Sequence, residues 1–234
     1  MRTGKPLSRA VQRITDLFIP IVDWLFPPQC LICGEASDIS PYLCKNCLNA
    51  CRTCGKVPAC APGSQANAED IYALFRFDGN MQVLVHHLKY GNMPFIGEFL
   101  GERIGEHFAE TPLSACDALV PVPLYPARKR ERTYNQSFHI AKGISRVWNV
   151  PVKKNLLKRR RDTGSQTLLN RRERQENVRD AFVPRKRNGL PSYVCIVDDV
   201  FTTGATCMEA ARCLKQAGVR KAGIVTLTAA EKDQ

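Results

Sequence analysis

Two adjacent carboxylates, Asp198 and Asp199, follow the apolar run Val194-Cys195-Ile196-Val197 and precede Thr202-Thr203-Gly204-Ala205-Thr206. The run is apolar and β-branched, as a strand buried on both faces of a parallel sheet requires. The turn after it gathers hydroxyls around a glycine. With no bulky side chain there, the backbone N–H groups of a helix start are open to an anion. Cys207, Ala210, Ala211, Leu214 and Ala217 then recur at helical spacing, and Gly218 supplies a stop. Carboxylates accept hydrogen bonds from hydroxyls, and the helix start attracts phosphate. A ligand with a phosphate a short way from a vicinal diol fits both halves, and a ribose 5-phosphate is of that kind. The order contains neither G-x-G-x-x-G nor a glycine followed by Lys-Ser/Thr, which excludes a dinucleotide fingerprint and a P-loop.

A second reactive group lies near the N-terminus. Seven of the eleven cysteines fall between Cys30 and Cys60. Cys30-Leu31-Ile32-Cys33-Gly34 and Cys44-Lys45-Asn46-Cys47 are two Cys-x-x-Cys pairs with ten residues between them. Two such pairs close a tetrahedral thiolate site, so a structural Zn2+ is expected on Cys30, Cys33, Cys44 and Cys47. Cys51, Cys54 and Cys60 are one ligand short of a second site. They bind no metal or borrow a ligand from elsewhere. Cys116, Cys195, Cys207 and Cys213 sit in apolar or helical stretches, as small buried hydrophobes do. The odd total argues against a disulfide scaffold.

The third group is cationic. Residues 128 to 187 hold 19 Lys/Arg against 5 Asp/Glu, while the rest of the chain holds 15 against 17, so one region carries the whole net charge of +12. Arg128, Lys129, Arg130 and Arg132 crowd the exit of an expected strand at 118–124. Guanidinium forks match phosphoryl oxygens in pairs, which makes Arg128 and Arg132 candidate pyrophosphate partners. The surplus exceeds what one pyrophosphate uses. The run Lys158-Arg159-Arg160-Arg161 is therefore a candidate contact with a further polyanion, a nucleotide or a nucleic acid such as single-stranded DNA. Tyr134, Phe138, Trp148 and Phe182 are few, and two of them, Phe138 included, fall on an inward helical face. Binding is expected to be electrostatic, with little base stacking.

The elements that must position these groups alternate between periods. Residues 9–26 approximate a helical face broken at Pro20. Ile71 to Phe77 reads as a strand, Met81, Leu84, Val85 and Leu88 as a helix, and Ile96, Phe99, Leu100, Ile104 and Phe108 as another. His86 and His87 read as surface or packing residues, and Lys89 and Tyr90 end their helix where they could face a site. Phe138, Ala141, Ile144 and Val147 give an inward face after the basic loop. Residues 153 to 187 lack a period and read as a functional flap or a disordered segment. Residues 223–228 form the last strand. Alternating strands and helices predict an α/β fold with a doubly wound, mostly parallel sheet. The composition of residues 61–69 marks a linker, so an N-terminal helix and zinc module at 1–68 should precede the sheet domain at 69–234. No apolar run reaches the roughly 18 residues of a membrane span, and no signal peptide is evident, so a cytoplasmic protein without a membrane span is expected.

The Asp198 to Thr206 stretch closely resembles the phosphoribosyl-pyrophosphate (PRPP) loop of type I phosphoribosyltransferases. Over nearly its whole length the chain resembles the ComF family of competence-associated proteins. The carriers are the Cys-x-x-Cys module after Pro27-Pro28, His87-Leu88-Lys89-Tyr90, Pro121-Val122-Pro123-Leu124, Arg130-Glu131-Arg132-Thr133-Tyr134-Asn135-Gln136, the series Gln166, Arg171, Arg174 and Asn177, and the Asp198 to Thr206 loop. The resemblance implies a phosphoribosyltransferase-like domain behind a zinc finger, and a role in DNA uptake during natural transformation. It further implies PRPP binding, with Asp198 and Asp199 as catalytic carboxylates on the ribose hydroxyls. Thr202, Thr203, Gly204, Ala205 and Thr206 would take the 5-phosphate, and Arg128 and Arg132 the pyrophosphate bridged by Mg2+. Single-stranded DNA and other DNA-uptake proteins, such as a helicase, would be its partners. An active phosphoribosyltransferase of nucleotide or cofactor metabolism without DNA contact, and a non-catalytic PRPP sensor, remain the alternatives. Thr133 and Tyr134 depart from the Gly-Phe usual in the family at this point, which stiffens the loop.

Overall fold

The computed structural model describes residues 28–40, 42–58, 67–161, 177–185 and 189–230. Its contacts divide the chain into two compact units, Met1–Ala50 and Cys51–Gln234. The division falls earlier than the 68/69 boundary drawn from linker composition. The expected helix at 9–26 and most of the linker lie outside the described residues.

In the first unit the chain turns through Cys30–Gly34 and reaches the short helix α1 (Lys45–Asn49). Gly34 takes φ 76°, which ends the first Cys-x-x-Cys turn in a conformation glycine adopts without strain.

The second unit holds strands β1 (Thr53–Lys56), β2 (Asp70–Arg76), β3 (Ala118–Pro121), β4 (Leu157–Arg159), β5 (Phe182–Pro184), β6 (Tyr193–Phe201) and β7 (Lys221–Ala229). Its helices are α2 (Gly79–Tyr90), α3 (Pro94–His107), α4 (Pro126–Arg132), α5 (Gln136–Trp148) and α6 (Ala205–Gln216). Five strands form a sheet ordered β1-β2-β7-β6-β3, parallel throughout except for the antiparallel edge strand β1. Ile71, Ala73, Val120, Val194, Ile196 and Ile224 pack on Cys207, Ala210, Ala211 and Leu214 of α6. Residues of the opposite register face α3 and α5: the Tyr72 ring lies 5.1 Å from Phe108, which follows α3, and α5 packs on β3 and β6. Both faces are thus covered, and the near-continuous apolar strands follow from that.

α3 and α5 cross closely. A Cβ at Gly143 would lie 2.0 Å from Glu98 O, and one at Gly101 would lie 2.2 Å from Ile140 O. At the crossing the buried Glu98 carboxylate receives Lys142 Nζ (2.5 Å), His139 Nδ1 (2.9 Å) and the Arg146 guanidinium. Burial by itself would raise Glu98, but hydrogen bonds from Lys142, His139 and Arg146 outweigh it and hold the carboxyl at about 2. This contact corrects the inward face expected for α5. Ile140, Ala141, Gly143 and Ile144 are buried, while Phe138 is half-buried and Val147 is exposed. The face turns because backbone meets backbone at Gly143.

Two further differences concern strands. β6 runs on through Asp198 and Asp199, since Val200 and Phe201 still pair with Thr228 and Ala229 of β7. The basic stretch contains a two-stranded antiparallel sheet, β4 with β5, in which Arg159 faces Phe182. Strands of three residues are too short to show a period.

Candidate functional site

Parallel strands bring the loop after β3 and the turn after β6 to one edge of the sheet, where open α/β sheets bind ligands. Asp198 and Asp199 lie at that edge, 9% and 6% exposed. Asp199 Oδ2 accepts from Gln136 Nε2 at 3.2 Å and pairs with Lys89 Nζ at 3.1 Å. Asp198 Oδ1 accepts from Ser137 Oγ at 2.9 Å and from the Asp199 backbone N–H at 3.0 Å. Burial and the neighbouring Asp199 carboxylate push Asp198 up to about 6, against the pull of Ser137 and Lys89. The acids are therefore enclosed by the end of α2 and the first turn of α5. The Cys207 thiol donates weakly to Asp198 Oδ2 at 3.7 Å. Burial pushes that thiol far up, away from the thiolate form.

The turn after β6 requires its glycine. Gly204 takes φ 75°, and a Cβ there would lie 2.3 Å from the Phe201 ring. Gly204 is the N-cap of α6 and places no side chain over the first turn. Thr202 is exposed and Thr203 half-buried beside it, and the Ala205 N–H donates to Thr203 Oγ1 at 3.4 Å. Amides, hydroxyls and a helix dipole converge there as an anion requires.

The loop after β3 is fastened to the end of α2. Arg128 is half-buried in α4. The Arg132 guanidinium lies 5.3 Å from the Tyr90 ring centre and 3.5 Å from its hydroxyl. Thr133 takes φ 60°, an outlier for a β-branched residue and a conformation glycine adopts freely. Its Oγ1 proton is shared between Arg132 O at 2.7 Å and Asn92 Oδ1 at 2.9 Å, and the Tyr134 hydroxyl donates to Leu88 O. Both side chains that depart from Gly-Phe thus contact α2 or the residues just after it. Asn135 caps α5, its side chain accepting from the Ser137 N–H at 3.1 Å and donating to Val122 O at 3.0 Å.

In the first unit the sulfurs of Cys30, Cys33, Cys44 and Cys47 lie within 4.8 Å of one another, and Cys33 Sγ is 3.8 Å from Cys44 Sγ. A tetrahedral ion with Zn–S bonds of about 2.3 Å sets its sulfurs about 3.8 Å apart, so this cluster could hold zinc. Burial would raise Cys30, but backbone hydrogen bonds at Cys33, Cys44 and Ile32 bring it down to about 6, toward the thiolate a metal needs. Among the described residues no second cluster of this kind occurs. Cys54 lies in β1 and packs on the sheet's core, and Cys60 lies outside the described residues.

Lys158 and Arg160 are exposed. Arg159 rests over the Phe182 ring at 5.6 Å, and Arg161 donates to the carbonyls of Asn177 and Arg179 at 3.0 and 2.9 Å. Gln166, Arg171 and Arg174 lie outside the described residues. Among the described residues, no helix is long and apolar enough to cross a membrane. Sequence reasoning missed Ser137 and the pairing of Gln136 with Asp199. The signal was available: Asn135 is a strong N-cap directly after the basic loop, so the next two side chains open a helix at the sheet edge.

No protein-family model matches the chain. It is 26% identical over 200 residues to competence protein F of Haemophilus influenzae, covering 83% of this chain and 81% of that one. It is 29% identical over 200 residues to the DNA utilization protein YhgH of Escherichia coli K12, covering 81% and 85%. Competence protein ComFC of Bacillus subtilis is 33% identical over 102 residues, covering 43% and 39%. Among solved structures, a glutamine PRPP amidotransferase from B. subtilis, complexed with ADP and GMP, aligns with TM-score 0.40 and 18% identity over 60% of this chain and 30% of that one.

Proposed function

As the chain belongs to the ComF family, we propose that it acts in DNA uptake or utilisation, binding PRPP or another ribose 5-phosphate and contacting single-stranded DNA. The observation that carries the ligand half is the buried pair Asp198 and Asp199 near the end of β6, two positions before the strand gives way to the Gly204 turn into α6. In this reading the carboxylates accept from the ribose hydroxyls, and Thr202 to Thr206 surround the 5-phosphate. Gln136 Oε1, buried without a hydrogen-bond partner, accepts from a ligand hydroxyl or a metal-bound water. Arg128 and Arg132 meet the pyrophosphate. Mg2+ bound with PRPP would neutralise its oxygens, held from the protein side by Asp198 and Asp199. Lys89 already places one positive charge on Asp199, so ligand and cation must displace it or share the carboxylate with it.

Calorimetry with PRPP and Mg2+ tests this. Asp199→Asn combined with Thr203→Ala should weaken binding at least tenfold, and unchanged affinity would defeat the assignment. Pyrophosphate release with a panel of nitrogen bases and DNA ends separates an enzyme from a sensor. For the DNA half, affinity for single strands should fall steeply with salt, and replacing Lys158 to Arg161 by alanine should flatten that slope. An unchanged slope would leave the basic stretch as a flap over the phosphoribosyl site.

A further inference from the structure

We propose that the second unit carries another anion site, separate from the carboxylate pair, that takes a nucleotide with its phosphates on lysine and arginine and its base against Phe138. A cavity of about 970 Å³ lies between the starts of α4 and α5 on one side and the β4–β5 sheet on the other. Arg130, Lys154, Lys158, Arg159 and Arg185 line it together with Phe138, and its described lining contains no Asp or Glu. Its volume stands at the upper end for small-molecule sites.

Several cations outside the cavity are already committed to carboxylates. Lys142 and Arg146 are held on Glu98, Arg212 on Glu209 and Asp180, and Lys89 on Asp199. Among the described residues, Arg130, Lys154, Lys158 and Arg185 form no ion pair. Unpaired like charges around one cavity repel each other, and a polyanion relieves that repulsion. A bare polyphosphate would satisfy the charges but not the aromatic wall. Lys154 Nζ rests 5.2 Å from the centre of the Phe138 ring. A phosphate that draws the ammonium away uncovers a ring face on which a planar base can stack. Phe138 is half-buried on the cavity wall rather than turned into the core, which leaves its ring within reach of a bound base.

The two sites share a wall. Tyr134 and Asn135 line the cavity, while the next residues, Gln136 and Ser137, hold Asp199 and Asp198. The inference rests on the reading that the basic region meets nucleic-acid chemistry, through Lys158 and Arg159, and not on the reading of the carboxylate site.

The test is calorimetry with dATP, without divalent cation and at low salt, on the full zinc-loaded chain. Lys154→Ala with Arg185→Ala should weaken dATP by about tenfold or more, as loss of charged phosphate contacts does, while Asp199→Asn leaves it within about twofold. Phe138→Leu, which keeps the packing but removes the ring, should weaken dATP and leave inorganic tripolyphosphate unchanged. Unaltered dATP affinity in the double variant overturns the proposal, as does loss of dATP in Asp199→Asn alone. Equal binding of dATP and tripolyphosphate that ignores Phe138→Leu overturns the nucleotide assignment. An oligothymidylate that depends on Lys154 and Arg185 while dATP does not bind overturns it in favour of a strand track. Binding of dATP as expected without any strand binding upholds the cavity and defeats the single-strand reading.

Discussion

Lys89, Gln136 and Ser137 offset only part of the cost of burying two carboxylates side by side, and Asp198 shows the remainder in its raised value of about 6. Its proton is held more tightly in the folded chain than in the unfolded one, where the ordinary value is 3.8. The associated stability is therefore fully present below pH 3.8 and is lost as pH rises through 6. Asp198→Asn removes the charge at constant shape. It should stabilise the unliganded chain at pH 8 by about 1–3 kcal/mol, with the gap closing near pH 4. Urea melts at both pH values measure this, and a gap independent of pH would contradict the assignment. Ser137→Ala leaves Asp198 with one fewer donor and should cost about 1–2 kcal/mol at neutral pH, measured the same way.

Among the elements, the α3–α5 pair and the loop before α5 decide whether Gln136 and Ser137 reach the acids. Gly143→Ala drives a Cβ into Glu98 O and the Glu102 N–H, both backbone atoms that cannot rotate away. The helices must separate, at a cost of about 2–3 kcal/mol or more, and ligand affinity should fall with stability because the first turn of α5 moves. Thermal melts together with PRPP titration check both readouts; a stable variant with intact binding would show that the crossing tolerates expansion. In the loop, Tyr134→Phe removes the hydroxyl on Leu88 O and should cost about 0.5–1.5 kcal/mol in urea melts. An unchanged stability would mean that this bond does not fasten the loop. Thr133 illustrates the same fastening from the backbone side, since its hydroxyl bond to Asn92 accompanies a conformation that sterics disfavour.

At the scale of the whole molecule, two compact units rely on different forces. Met1–Ala50 carries the four-cysteine cluster, whereas Cys51–Gln234 carries the parallel sheet and its large apolar core. A segment that small would gain its folding free energy largely from a bound metal, while the sheet has its own apolar core. Protein purified without chelator should contain at least one zinc per chain. Stripping it should expose the Cys30–Cys47 turns to protease and leave the strands of the five-stranded sheet resistant. Less than one zinc per chain, or loss of the sheet's protection along with the metal, would contradict this division.

The local chemistry was legible in the sequence because each signal is short. The strand, carboxylates and glycine turn of 194–206 are contiguous, and the spacing of Cys30, Cys33, Cys44 and Cys47 names a thiolate site wherever the chain folds around it. Alternating periods likewise fixed the α/β class. What the tertiary structure alone decided are meetings between residues far apart in the chain. Lys89 reaches Asp199 and Ser137 reaches Asp198 only because parallel strands deliver three separate segments to one edge. Phe138 left its expected inward face because Gly101 and Gly143 let two backbones touch, and a helical period carries no information about the partner's closeness. The β4–β5 sheet, three residues a strand, exists through pairing across a long intervening segment rather than through any local preference. It turns a run of basic residues into one wall of a cavity, and charge along a chain does not determine where in space that charge converges.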